Sequence, residues 1–152
     1  MQFAIDRCNI NDEIMVLVSD NYFTYSLKDY FDYYRKVNAD CILGTEFEDL
    51  EYLGKHFAVA TVDENNVVTS LVEKPGVAPS NLGVYATYLY TADTVKMIKQ
   101  YLNEGNSKDA PGNFPAWLHK RKPVYLYRFD GECYDIGTVK VYTELNEKLS
   151  KN

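Results

Sequence analysis

Three short stretches of this 152-residue chain place acids and a lysine where chemistry could use them. Residues 15–21 read MVLVSDN: four apolar residues, a serine, then Asp20 and Asn21. An acid just past a strand can bond the local backbone and shape the turn. It can equally face a ligand, because open α/β sheets bind ligands at the carboxyl ends of their strands. Mg²⁺ suits such a place, since it takes one or two protein carboxylates and fills its octahedron with water and substrate phosphate. Asp135, in ECYDIGT, repeats the arrangement of short strand, acid and Gly137–Thr138, which also reads as a turn with an N-cap. In VEKPG a strand ends on Glu73 and Lys74, and Pro75 denies Lys74 a helical conformation. One use of that pair is an exposed acid–base pair at a loop start. The other gives Glu73 to hydroxyl recognition and Lys74, a compact point charge, to a phosphate.

The remaining reactive side chains are isolated. His56 and His119 have no partner at metal-ligand spacing, and Trp117 reads as core. Cys8, Cys41 and Cys133 form no C-x-x-C pair, so neither a zinc site nor a disulfide framework follows, and a reducing compartment is the expectation. No His neighbours Cys133 in the sequence, which disfavours a thiol nucleophile. There is no G-x-S-x-G elbow, Walker A loop or G-x-G-x-x-G.

These residues must be positioned by the elements around them. Residues 14–18 (IMVLV) form a continuous apolar run, the pattern of a strand buried on both faces. Ser26 and Asp29 have capping-box spacing ahead of a helix whose apolar face is Leu27, Tyr30, Phe31, Tyr34 and Val37. With a strand at 40–45 this makes a βαβ unit. Residues 56–63 and 67–73 flank Glu64–Asn66 and predict a hairpin, and 81–90 predicts another strand. Thr91 can cap a helix that stops at Gly105, and Thr138 can cap the last one. Residues 3–10 read as the end of a helix, 106–113 as a loop, FPAWLHK as a short helix and 123–129 as a strand. The class is mixed α/β with an inserted hairpin, in one domain, as the length suits.

Composition narrows the partners. The chain carries 22 acidic and 16 basic residues, for a net charge of −6, and its densest basic run is only His119–Lys122. Nucleic-acid binding normally needs a clustered basic face, so neither nucleic acid nor an anionic membrane is expected as a partner. No apolar run approaches the roughly 20 residues of a membrane span. The N-terminus has acids and no sustained apolar core, so it does not read as a signal peptide and the cytoplasm is the expected location.

In order, the chain carries VLVSDN, a hairpin around AVATVDENN, VVTSLVEKP, PSNLGVYATYLY and ECYDIGT. This series resembles the sugar-1-phosphate nucleotidyltransferases, above all the glucose-1-phosphate thymidylyltransferase group, over nearly the whole chain. The resemblance implies a Rossmann-like, GT-A-like mixed sheet and the reaction of an NTP with a sugar 1-phosphate to NDP-sugar and pyrophosphate. It implies metal-binding roles for Asp20 and Asp135 with Mg²⁺ as cofactor, a sugar contact for Glu73, and a phosphate-contacting, catalytic role for Lys74. Val84 matches a position that touches the sugar through its backbone. A Tyr-Gly pair near the sugar is Phe57–Ala58 here, a glycine is Ala86 and an aromatic before DIGT is Cys133, so the sugar pocket is expected to be altered.

The family's opening strand and G-x-G-T-R-L phosphate loop have no counterpart in this sequence. The chain therefore reads as the C-terminal part of a truncated nucleotidyltransferase domain, weak or inactive alone. A homo-oligomer or a separate N-terminal chain is expected to cover the IMVLV strand. The alternative is a non-catalytic remnant that binds sugar phosphates or NDP-sugars.

Overall fold

A computed structural model describes residues 1–150. Its central strand is β6 (Leu82–Tyr90), whose β-branched and aromatic residues are buried throughout except at Ala86. β3 (Asp40–Glu46) runs antiparallel along one side of β6. The other side is shared by two strands placed end to end. β4 (Ala58–Val62) pairs with Leu82–Val84, and β1 (Ile14–Leu17) pairs with Thr87–Tyr90. Tyr85 and Ala86 lie between them, where the sheet is split. β5 (Val68–Glu73) forms the expected hairpin with β4, and β7 (Val124–Arg128) joins β3 in parallel, giving the order β5-β4-β6-β3-β7. A separate ribbon pairs β2 (Asn21–Phe23) with β8 (Cys133–Asp135).

Side chains alternate across this sheet, as the strand period requires. Ile42, Val84, Tyr88 and Tyr90 enter one core, with Val95, Ile98, Phe114 and Trp117 from α4 (Ala92–Asn103) and α5 (Asn113–Leu118). Cys41, Leu43, Tyr85 and Leu89 enter the other, with Tyr30 and Tyr34 from α2 (Leu27–Val37). α1 (Gln2–Arg7) adds Ile5 to the first core, and α6 (Val139–Leu149) buries Leu145. Ser26 Oγ accepts from the Asp29 N–H at 3.1 Å and Thr138 Oγ1 from the Val141 N–H at 3.3 Å, so both expected caps form.

Four differences from the sequence reading have physical causes. β1 is half-buried, with Leu17 45% exposed, because among the described residues it has a strand neighbour on one side only. Thr91 stands at the N-cap of α4 but its side chain accepts no cap bond, its hydroxyl turning instead toward Asp93 Oδ1 at 2.5 Å and Asp40 Oδ1 at 3.2 Å. Asp40 is fully buried and also takes the Thr91 N–H, the Thr94 hydroxyl and Lys122 Nζ, so its need for donors outranks the cap. α3 (Leu50–His56) was not legible: it is short, carries Gly54, and is started by Asp49 Oδ1 accepting the Tyr52 N–H at 2.9 Å. The first helix spans Gln2–Arg7, with Asn9 at φ +51 beyond its end, whereas the sequence predicts residues 3–10.

Candidate active site

A cleft of about 330 Å³ opens at the split in the sheet. Asp20, Phe57, Ala58, Glu73, Lys74, Val84 and Asp135 all line it, so every expected site residue comes to one place. Asp20 arrives from the end of β1. Asp135 arrives on β8, whose partner strand begins with Asn21 directly opposite Asp135. The Ile136 N–H donates to the Asp20 carbonyl at 2.7 Å and fastens the two segments together. Both carboxylates converge on Gly137: a Cβ there would stand 3.0 Å from Asp135 Oδ1 and 3.8 Å from Asp20 Oδ2.

The two acids differ in how far the turn reading holds. Asp135 Oδ1 accepts the Gly137 N–H at 2.9 Å, so one of its oxygens does shape a turn. Among the described residues no donor reaches the Asp20 carboxylate, and a turn residue would need one. Asn21, which the sequence reading did not single out, adds a third oxygen: its Oδ1 is buried and has no hydrogen-bond partner. A buried acceptor left unpaired costs free energy, so it calls for a donor or a cation. No three His, Cys, Asp or Glu side chains cluster as a metal centre among the described residues. Two carboxylates, with Asn21 in register opposite Asp135, nevertheless supply hard oxygens of the kind that Mg²⁺ takes.

In the same cleft Lys74 lies at φ +43, a left-handed backbone uncommon for a side chain of its type. Its N–H donates to the Phe57 carbonyl at 3.2 Å, while among the described residues its ammonium makes no ion pair or hydrogen bond. Burial raises the pKa of Glu73, with Lys74 pulling it back in part. Gly112 makes room for that carboxylate: a Cβ at Gly112 would stand 2.3 Å from Glu73 Oε2 and 3.6 Å from the Tyr88 hydroxyl. Ala58 pairs with Val84 across β4 and β6, and the Phe57 ring packs on Phe47 and Tyr85 at 4.9 and 5.2 Å, forming an apolar wall. Asp109 and Pro111 complete the rim. They sit in a segment whose composition signals only a loop, so nothing in the sequence marked them. Cys133 is half-buried and its thiol is pushed up to about 12 by burial, which makes it a poor nucleophile.

The charges decide what the cleft can accept. Asp20, Glu73, Asp109 and Asp135 face it, with Lys74 as the lysine among its lining residues. A phosphate would meet net repulsion there unless a divalent cation came with it.

Comparison with known proteins supplies the family. The model of the family described as Nucleotidyl transferase matches residues 2–152. Among curated relatives, the chain is 26% identical over 148 residues to a glucose-1-phosphate adenylyltransferase of Clostridium acetobutylicum, covering 93% of this chain and 38% of that protein. It is 29% identical over 143 residues to the Mycoplasma mobile enzyme of the same name, covering 91% and 37%. A UDP-glucose pyrophosphorylase solved with UDP-glucose is similar at TM-score 0.79 and 25% identity, over 97% of this chain and 60% of that one. A putative glucose-1-phosphate thymidylyltransferase from Bacillus anthracis shares the fold at TM-score 0.79 and 21% identity, over 96% and 57%. The chain thus spans under two fifths of the length of these curated relatives.

Proposed function

The chain belongs to the nucleotidyl transferase family, and from that premise we propose that its cleft holds the sugar-phosphate half of a sugar-1-phosphate nucleotidyltransferase reaction. The relatives differ in the nucleotide their names print and share glucose, so glucose 1-phosphate and an NDP-glucose are the proposed ligands. The observation that carries the reading is the gathering within one cleft of two carboxylates and a free ammonium. Glu73 accepts from sugar hydroxyls, Val84 offers its backbone, and Phe57 and Ala58 wall the ring. Asp109 is added to the sugar contacts, because it lines the same cleft as Glu73.

In the reaction an oxygen of the sugar phosphate attacks the α-phosphorus of the NTP, a new O–P bond forms and pyrophosphate leaves. Lys74 holds the attacking phosphate in line and offsets its charge, and positioning of this kind is most of phosphoryl-transfer catalysis. Asp20 and Asp135, with Asn21 Oδ1 beside them, would hold Mg²⁺, which when bound neutralises triphosphate charge.

We propose further that residues 1–152 act as one unit, the C-terminal part of such a domain, and that turnover needs a segment bearing the phosphate loop. Upstream sequence or a separate second chain could bring that segment to β1. Among the described residues no helix is long and apolar enough to cross a membrane, and the three free cysteines suit the reducing compartment proposed for the chain. A pyrophosphate-release assay with Mg²⁺, several NTPs and glucose 1-phosphate tests this. Little or no turnover by the pure chain is expected, and robust turnover would contradict the need for a partner segment.

The second reading, a non-catalytic binder of sugar phosphates, is favoured by the same cleft, which gathers Asp20, Glu73, Lys74 and Asp135. NDP-glucose binding with no turnover even when a segment bearing the phosphate loop is supplied would select it.

A further inference from the structure

Gly54 lies inside α3, where glycine costs helix stability relative to alanine. The structure supplies the reason. A Cβ on Gly54 would stand 2.7 Å from the Gly76 carbonyl oxygen, 3.0 Å from the Ala78 nitrogen and 3.1 Å from the Gly76 carbonyl carbon. All three are backbone atoms, which cannot swing aside as a side-chain tip can. The Gly76 N–H donates to the Gly54 carbonyl at 2.8 Å, and the Lys74 N–H donates to the Phe57 carbonyl at 3.2 Å. The C-terminal end of α3 therefore grips the turn 74–76 at two points. Within that grip Gly76 sits at φ +78 and Lys74 at φ +43. A lysine keeps such a backbone only where its surroundings over-determine it, and such strain gathers at functional sites.

We propose that Gly54 is a positioning residue for Lys74: its missing side chain lets the 74–76 turn press onto α3, and that contact fixes the ammonium at the cleft. The inference rests on reading the cleft as a sugar-phosphate site. α3 thereby gains a role beyond packing, as the support against which the phosphate-contacting lysine is set.

The test compares wild type, Gly54→Ala, Lys74→Ala and the double variant, with two readouts. Backbone chemical shifts and scalar couplings report the φ of Lys74 without any ligand, and calorimetry with glucose 1-phosphate and Mg²⁺ reports binding. In Gly54→Ala, Lys74 is expected to leave the left-handed region and affinity to fall about tenfold, as losing a charge-assisted hydrogen bond would give. The double variant should bind no more weakly than Lys74→Ala, a convergence that general destabilisation would not produce. Should Gly54→Ala not fold, Gly76 provides the second route. A Cβ there meets nothing within 4 Å, so only φ is at stake. Gly76→Ala should then weaken binding while Gly76→Asn, which tolerates positive φ, preserves it.

A folded Gly54→Ala that keeps Lys74 at positive φ, or that binds as well as wild type, overturns the proposal, as does equal binding by Gly76→Ala on the second route. If wild type fails to bind glucose 1-phosphate while the φ of Lys74 still moves in Gly54→Ala, the cleft reading falls. The functional half of this proposal falls with it.

Discussion

Asn21 and Asp135 are partners across the β2–β8 ribbon, and that pairing carries Asp20 to the side of Asp135. The ribbon lies outside the main sheet, so the acid pair depends on two three-residue strands and on the Ile136–Asp20 backbone bond. If the pair holds a cation, Asp20→Asn and Asp135→Asn each remove a ligand. Loss of even an outer partner of a metal ligand costs ten- to a hundredfold. At least a tenfold rise in the Mg²⁺ concentration needed to support UDP-glucose binding is therefore expected from each, measured by titration. Both side chains are exposed, so the melting temperature should stay close to wild type. An unchanged Mg²⁺ requirement would remove the metal role.

Glu73 sets function against stability. Burial raises its pKa in the folded chain. A group with a raised folded pKa stabilises the fold at pH values below its unfolded pKa, and the contribution is lost as pH rises through the folded one. At neutral pH the charged Glu73 is therefore a burden on the fold. Glu73→Gln is expected to melt higher than wild type at pH 7, with the gap closing below about pH 4.3, the ordinary glutamate value. The same variant should bind glucose 1-phosphate more weakly, and wild-type affinity should rise with pH as the carboxylate forms. A Glu73→Gln chain that melts lower at pH 7 would contradict the assignment.

The fully buried Asp40 depends on Lys122, whose ammonium lies 2.9 Å from its Oδ2, and on Thr94 at 2.7 Å. Removing one partner of a buried pair leaves an uncompensated charge, at a cost of about 3–5 kcal/mol. Lys122→Met should show that loss in chemical denaturation. A change below about 1 kcal/mol would mean that Thr91 and Thr94 satisfy Asp40 without the lysine.

β1 leaves one edge without a strand partner among the described residues, and Leu17 on it is exposed. An open apolar edge invites strand pairing with another chain. Sedimentation should show mass rising with concentration, and Leu17→Lys should shift the population toward monomer. A monodisperse monomer at high concentration would contradict self-association through this edge.

These residues also show which parts of the molecule its sequence made legible. The β4–β5 hairpin, β6, α2 and α6 carry strong periodicity or caps that the structure keeps. The site residues could be named because EKP, PSN and DIGT occur in a fixed order, although no single acid was decisive. β2 is three residues, too short for any alternation to show. The glycine that obscures α3 answers to the turn 74–76, a contact 20 residues away in the chain. The half-burial of β1 depends on its neighbours, which its own residues do not specify. Thr91 turns its hydroxyl toward Asp93 and the buried Asp40, and the second contact, 51 residues away in the chain, is visible only once the two are adjacent. Asp109 and Gly112 act through where the loop lies, and composition shows only that it is a loop.

The central claim is that one cleft reads a sugar phosphate through Lys74, and calorimetry of the pure chain with UDP-glucose and Mg²⁺ tests it most directly. The account predicts measurable binding by wild type and a loss of about tenfold or more in Lys74→Ala, the cost of one charged hydrogen bond. No binding by wild type, or equal binding by Lys74→Ala, would contradict it.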